Sequence, residues 1–383
     1  MTSAAMRGDS TYVTSAATIG RIDVFAVRYT HAGEAFALSG GRSAAEQDAT
    51  IVRVETRDGL VGFGEQCVFT PSFLPGYGPT TRAVLEPLGR AIIGADPRAV
   101  ELVYARMEAA VRGYAYAKSA LDIACWDLLG KATGLRIGDL LGGIRQEELE
   151  LYTGVGLAEP EEMAERCAEA LAAGFRQVQV KVGSDWRTDV ERIRTCAEAL
   201  EGADRAIVDA NGYWPQADAV RVVAAVGELD IYIEQPCATV AECAQVRRRS
   251  RRPFILDEVL TGARELAEAH AAGALDAVRL KLSNVGGITP TRRERDLAVA
   301  LGLPLTIEDA GGGDIVTAAA LHLGCSTEPK LLLGGYLPSE MVVEHVAVDP
   351  PRAVDGTVRL PAGPGLGLEL DESALGERVL RIE

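Results

Sequence analysis

Val178-Gln179-Val180-Lys181-Val182, Ile207-Val208-Asp209-Ala210-Asn211, Tyr232-Ile233-Glu234-Gln235-Pro236, Ile255-Leu256-Asp257-Glu258 and Val278-Arg279-Leu280-Lys281-Leu282 form a series. Each is a short apolar run with a charged residue at or near its C-terminal end. From Lys181 through Asp209, Glu234 and Asp257 to Lys281 the steps are 28, 25, 23 and 24 residues, about the length of one strand plus one crossover helix. Consecutive units that each deliver a charged group from a strand end predict a parallel barrel, where such groups converge on one face. Further strand-like runs near residues 150, 305 and 332 extend the rhythm. Eight strands with seven helices between them, a parallel (β/α)7β barrel, are predicted over 148–338.

Upstream the pattern changes. Ile19–Tyr29 reads as a strand with Ile22, Val24 and Ala26 on one face, and 33–43 as a loop carrying Ser39-Gly40-Gly41-Arg42. Residues 49–56 and 60–65 alternate around Asp58-Gly59, a strong hairpin turn. A Pro/Gly-rich loop (71–79) leads to helical patterns over 80–93, 98–111 and 117–133. This portion, 19–147, is predicted to be an α+β domain. Residues 1–18 are Ser/Thr/Ala-rich and read as a disordered tail. The chain after Pro338 reads as irregular, and 339–383 is predicted to pack back on the α+β domain.

A chain of 383 residues accommodates one large barrel plus a smaller domain. The net charge of -16 argues against binding a nucleic-acid backbone, which rewards Lys and Arg. No apolar run reaches transmembrane length, and the first twenty residues lack a signal-peptide core, so a cytoplasmic protein without membrane contact is predicted. The seven cysteines form no Cys-x-x-Cys pair, which favours buried packing in a reducing compartment over a thiol site.

Asp209, Glu234 and Asp257 come from three consecutive predicted strands. Three adjacent carboxylates repel one another unless a cation lies between them. Oxygen-only ligands favour a hard divalent ion, Mg²⁺ above all. Lys181 and Lys281 flank the acids. A lysine beside such a cation is expected to have a lowered pKa and to serve as a general base. Taken singly, each acid reads as a solvated loop residue or helix cap and each lysine as a snorkelling side chain. Taken together, they point to a metal-assisted proton transfer.

The contexts Val-Asp-Ala-Asn, Glu-Gln-Pro and Leu-Asp-Glu around these acids resemble the enolase superfamily. The subgroup is that of the muconate-lactonizing enzymes, in the mandelate racemase/muconate lactonizing enzyme family, and the likeness runs from about Ile19 to the C-terminus. The resemblance implies an α+β capping domain on a modified TIM barrel of the (β/α)7β kind, Mg²⁺ on Asp209, Glu234 and Asp257, and paired bases at Lys181 and Lys281. It also implies a homo-oligomer. The usual Lys-x-Lys of the second strand reads Gln179-Val180-Lys181 here, which removes an auxiliary lysine and keeps the base. Asn211 and Glu258 match supporting positions near the metal.

Ser39-Gly40-Gly41-Arg42, Tyr116-Ala117-Lys118-Ser119 and Ile307-Glu308-Asp309-Ala310-Gly311-Gly312-Gly313 are most similar to the groups of cis-3-hydroxy-L-proline dehydratases and proline betaine 2-epimerases. Lys118 is assigned a structural role. Gly311 stands where the epimerase group usually has tryptophan. An aromatic ring holds a quaternary ammonium by cation–π attraction, so a betaine substrate is disfavoured unless Phe69, Phe73, Tyr77 or Tyr336 supplies the ring. Glu308 and Asp309 are candidate contacts to a substrate ammonium or hydroxyl. The implied substrate is a small amino- or imino-acid carboxylate. The first expectation is racemisation or epimerisation by two lysines. The alternatives are dehydration of a cis-3-hydroxy-L-proline-like acid and, outside enzymes, a non-catalytic binding barrel.

Overall fold

Residues 17–383 are described in the computed structural model. The tail expected over 1–18 falls outside them except for its last two residues. Eight parallel strands follow one another around a single sheet: Tyr152–Val155, Gln177–Lys181, Arg205–Asp209, Tyr232–Glu234, Phe254–Leu256, Ala277–Lys281, Leu305–Glu308 and Leu332–Gly335. A parallel bridge between Leu151 and Gly335 joins the eighth strand to the first and closes the barrel. The crossover after the sixth strand is broken into two helices, Leu282–Val285 and Ile288–Leu301, and the other six crossovers each carry one.

The period-2 alternation of a strand sorts these side chains. Val178, Val180, Val208, Ile233, Leu256, Val278, Leu280, Leu305 and Ile307 lie in the main core with the crossover helices. Each such buried side chain stabilises the fold by roughly 1.5–3 kcal/mol. Ile207, Ile255, Ala277 and Leu333, with Tyr232 against them, form a separate cluster on the inward parity, plugging the barrel. Two residues further along the same parity come Asp209, Glu234, Asp257 and Arg279. The pattern that fills the plug with apolar groups thus also sends the charged groups into the barrel above it.

The cap is a four-stranded antiparallel sheet in the order Glu377–Ile382, Ile19–Thr30, Glu46–Thr56, Val61–Val68. Helices Gly78–Ile92, Val100–Ala110 and Ala115–Thr133 accompany it. Helix Ala115–Thr133 lies close on Val61–Val68: a Cβ at Gly64 would stand 1.8 Å from the Ala120 carbonyl oxygen. Trp126 Nε1 donates to Thr289 Oγ1 at 2.9 Å and Thr289 N to Asp122 Oδ2 at 2.8 Å, binding this helix to the barrel.

Some local expectations change. The end of the chain is not irregular throughout, because Glu377–Ile382 is a strand, with a bulge at Val379. It is an edge strand exposed along most of its length, so its sequence lacks the alternation of a half-buried strand. In Ile19–Thr30 the buried face switches: Ile22 and Val24 are buried, then Val27 and Tyr29, while Ala26 is only half-buried. Residues 33–43 contain a small ladder, Phe36–Ala37 against Ser43–Ala44. The run 148–154 serves two sheets: Glu148–Glu150 pairs with Thr357–Arg359, and the barrel starts at Tyr152.

Candidate active site

Strand register sets the site. Lys181 is level with Asp209, Asp209 with Glu234, and Lys281 with Glu308. All of these side chains, with Asp257, are buried at the C-terminal end of the barrel. Lys181 and Lys281 belong to the second and sixth strands of a closed ring of eight, so they stand across the barrel from each other. Lys181 Nζ donates to Asp209 Oδ2 at 2.5 Å, and Lys281 Nζ donates to Asp257 Oδ2.

The loops after the third and fourth strands hold their acids through strained backbone. Asn211 has φ 44° and Gln235 φ 34°, the left-handed region that Asn tolerates and Gln rarely enters. Asn211 N and Nδ2 donate to Asp209 Oδ1 and Oδ2 at 2.8 and 2.9 Å, and Nδ2 also reaches Glu258 Oε1 at 2.9 Å. Gln235 Oε1 accepts from Asp257 N at 3.0 Å while Gln235 Nε2 donates to the Cys237 carbonyl at 2.8 Å. Beyond Lys181, buried Asp189 accepts from Gly183 N at 2.9 Å, Ser184 N at 2.7 Å and Trp214 Nε1 at 2.8 Å. The cap reaches the same place: Gly40 N donates to the Gly183 carbonyl at 2.9 Å, and Ser39 Oγ donates to the Val182 carbonyl.

Glu234 is fully buried. Gln179 Nε2 donates to its Oε2 at 2.8 Å, Arg279 Nη2 to the same oxygen at 2.8 Å, and Arg279 Nε to Oε1. Burial pushes the Glu234 carboxyl up to about 7, with Arg279 opposing and Asp209 and Asp257 adding to the rise. Glu258 goes up to about 8 through burial and then Asp257. The lowering expected of Lys281 belongs to a lysine beside a cation; among the chain's own groups the balance runs the other way. Burial favours its neutral form, but Asp257, Glu258 and Glu308 outweigh this and hold its pKa above the ordinary lysine value. The expectation took a cation as the nearest charge, whereas the chain's own nearest charges are carboxylates.

Between the lysines lies a pocket walled by Phe36, Leu38, Phe69, Phe73, Tyr152, Gln179, Glu308 and Tyr336. Glu308 is the one carboxylate among its lining residues. Tyr152 OH and Arg279 Nη1 donate to Glu308 Oε2 at 2.5 and 2.6 Å. Lys281 Nζ is 5.5 Å from the Phe73 ring centroid. Two candidate contacts are not brought here. Tyr77 is 57% exposed and faces a separate groove with Tyr114, because the chain turns at Tyr77 into helix Gly78–Ile92. Asp309 is absent from the pocket wall: its carboxylate accepts from Ser283 N and Ala310 N, both at 2.9 Å, and burial raises it to about 7. Gly311 is enclosed: a Cβ there would stand 2.5 Å from Gln47 Oε1 and 3.1 Å from the Phe69 ring. Lys118 pairs with Glu108 within the cap at 2.5 Å. Sequence reasoning missed Arg279, although it shares the inward parity of Lys281 two residues on.

Among the described residues no three His, Cys, Asp or Glu side chains are arranged to hold a metal ion. Asp209, Glu234 and Asp257 turn instead to Lys181, Arg279 and Lys281. The donor set nonetheless suits a hard cation: three carboxylates on adjacent strands, with Asp257 Oδ1 buried and without a hydrogen-bond partner. In donor chemistry these residues fit a divalent ion.

The sequence matches two families in succession: Mandelate racemase/muconate lactonizing enzyme, N-terminal domain, over residues 22–142, and Enolase C-terminal domain-like over 162–374. A cis-3-hydroxy-L-proline dehydratase of Roseibium aggregatum is 40% identical over 363 residues, 95% of this chain and 99% of that one. An N-succinyl-L-Arg/Lys racemase of Bacillus cereus is 30% identical over 349 residues, 89% and 93% of the two chains. A mandelate racemase/muconate lactonizing enzyme structure from Roseovarius nubinhibens, complexed with magnesium, superposes with a TM-score of 0.92 at 35% identity, covering 96% of this chain and 100% of that one. No helix among the described residues is long and apolar enough to cross a membrane. The chain belongs to the mandelate racemase/muconate lactonizing enzyme family of the enolase superfamily.

Proposed function

We propose that the protein dehydrates a cis-3-hydroxy-L-proline-like imino acid. The observation that carries this reading is the placement of Lys181 and Lys281 on opposite sides of one pocket whose lining includes a single carboxylate, Glu308. In a ring acid whose 3-hydroxyl is cis to the carboxylate, the α-hydrogen and the hydroxyl lie on opposite faces. One lysine, as the free amine, takes the α-proton. The C–O bond breaks on the other face, and the second lysine, as the ammonium, gives its proton to the departing hydroxyl, which leaves as water. The product is an enamine that tautomerises to the cyclic imine. Glu308 would meet the ring nitrogen's positive charge, and Phe69, Phe73 and Tyr336, which line the same pocket, would enclose the ring and exclude water. A divalent cation held by Asp209, Glu234 and Asp257 would offset the charge that builds on the substrate carboxylate; the magnesium in the R. nubinhibens relative supports Mg²⁺ in that role. The 40% identity to a dehydratase supports elimination over simple proton return.

Racemisation or epimerisation is the second reading. The same two lysines deliver a proton to the face opposite the one it left, and a relative with 30% identity is a racemase. Proton NMR in D₂O with Mg²⁺ separates the two. With cis-3-hydroxy-L-proline, loss of the α-proton accompanied by cyclic-imine signals supports dehydration. Exchange of the α-proton in proline or 3-hydroxyproline without imine, followed by a change in optical rotation, supports racemisation instead. Inertness toward all of these substrates removes the proline-like class.

A further inference from the structure

Arg279 uses both ends of its guanidinium. Nε and Nη2 grip the two oxygens of Glu234, and Nη1 donates to Glu308 Oε2 at 2.6 Å. Its flat face lies 4.3 Å from the centroid of the Tyr152 ring. Tyr152 in turn stacks on Tyr336 (5.2 Å between centroids, 23° between planes) and donates its own hydroxyl to Glu308 at 2.5 Å. The side chain is buried and held between Glu234, Glu308 and the Tyr152 ring. A guanidinium matches two carboxylates with a rigid planar fork, which an ammonium on a flexible stem does not do.

These contacts join two different tasks. Glu234 belongs to the acid triad, and Glu308 is the pocket's carboxylate. We propose that Arg279 is a positioning residue that couples them: it presents Glu234 to the divalent cation and, through the same planar group, fixes Glu308 for the substrate's positively charged nitrogen. This rests on the proposed function above. Cation and substrate are then held by the two prongs of one fork, and loosening that fork weakens both. The Tyr152 hydroxyl acts on the Glu308 prong alone.

The test compares wild type with Arg279→Lys and Tyr152→Phe, using calorimetric titration with Mg²⁺ alone and then KM and kcat for cis-3-hydroxy-L-proline. Arg279→Lys keeps the charge, so a change in Mg²⁺ affinity reports the lost grip and not a lost cation. It is expected to weaken Mg²⁺ binding about ten- to a hundred-fold, the usual effect of removing a group that orients a metal ligand, and to raise KM as well. Tyr152→Phe is expected to raise KM and leave Mg²⁺ affinity as in wild type. Unchanged or tighter Mg²⁺ binding by Arg279→Lys overturns the coupling. So does a KM in Arg279→Lys equal to that of wild type. A wild-type protein that binds no Mg²⁺ overturns the metal reading together with this one. A wild type that binds Mg²⁺ but leaves the substrate unchanged points to the substrate assignment instead, and the coupling then stands or falls on the Mg²⁺ titration of Arg279→Lys.

Discussion

Lys181 and Lys281 each donate to a carboxylate of the neighbouring strand, Asp209 and Asp257, so that each prospective base is tied to a prospective metal ligand. The two pairs face each other across the ring of strands. Such ion pairs are enclosed, and breaking one by deleting a partner leaves an uncompensated buried charge. The arrangement makes the lysines and the acids interdependent, and the experiments below separate them.

Lys181→Ala and Lys281→Ala are each expected to lower the dehydration rate by about 10²–10⁴, the range for loss of a general acid or base. They are expected to differ in D₂O. The variant that keeps the proton-abstracting lysine still incorporates deuterium at the α-carbon, and the other does not. Wild-type turnover in both variants, followed by NMR, is the result that sinks the two-lysine assignment.

Mg²⁺ binding to the folded chain is expected to raise its stability by about 2.7 kcal/mol at a hundred-fold excess over Kd. Asp257→Asn, which alters the acid bearing the unpartnered Oδ1, is expected to lose most of that gain. Thermal melts with Mg²⁺ and with EDTA measure both. Identical melts of wild type under the two conditions rule out the metal site.

His322 gives a pH signature away from the site. Its Nε2 lies 3.0 Å from the Leu366 carbonyl and its Nδ1 accepts from Gly138 N at 3.3 Å, which suits the neutral ring protonated on Nε2. Burial lowers its pKa to about 4, against an ordinary value of 6.5. The folded state therefore binds this proton less readily than the unfolded chain does. Its contribution is fully present above about 6.5 and is lost as pH falls toward about 4, a change of roughly 3 kcal/mol. Denaturant titrations of His322→Gln across this range are expected to show a shallower acid loss than wild type. Parallel curves for the two proteins contradict the assignment.

Gly311 and Gln47 are expected to couple. Gly311→Ala places a Cβ against Gln47 Oε1, and overpacking of this kind costs about 1–3 kcal/mol. In a Gln47→Ala background the same change is expected to cost less, since the obstructing amide is gone. A double-mutant cycle on unfolding free energies reads the difference, and strict additivity rejects the steric account.

The barrel was legible because it repeats. Its second to seventh strands each show an apolar run with a charged residue at or just past the strand end and a helix-length gap, and the parity of a strand is visible in the letters. Arg279 was equally legible in principle, since it shares its face with Lys281, but an arginine inside a strand run reads first as solvent-facing. Other features depend on contacts that no local pattern encodes. Ser39 and Gly40 meet Val182 and Gly183 some 143 residues later. Tyr77 and Phe73 lie in one loop and look interchangeable, yet one faces the pocket and the other a separate groove. The strand Glu377–Ile382 is specified by the partner it pairs with, because its own exposed edge asks little of its side chains.

That last strand has a consequence for assembly. Ile22 pairs with Ile382, 360 positions away. The strand Ile19–Thr30 pairs on its other side with Glu46–Thr56, so during synthesis it presents one bare row of amides and carbonyls until the whole barrel has left the ribosome. An open edge of this kind is a template for pairing with other chains, and closing so long a loop is slow. Between making Ile19–Thr30 and making Glu377–Ile382, that edge of the cap sheet lacks the strand that covers it.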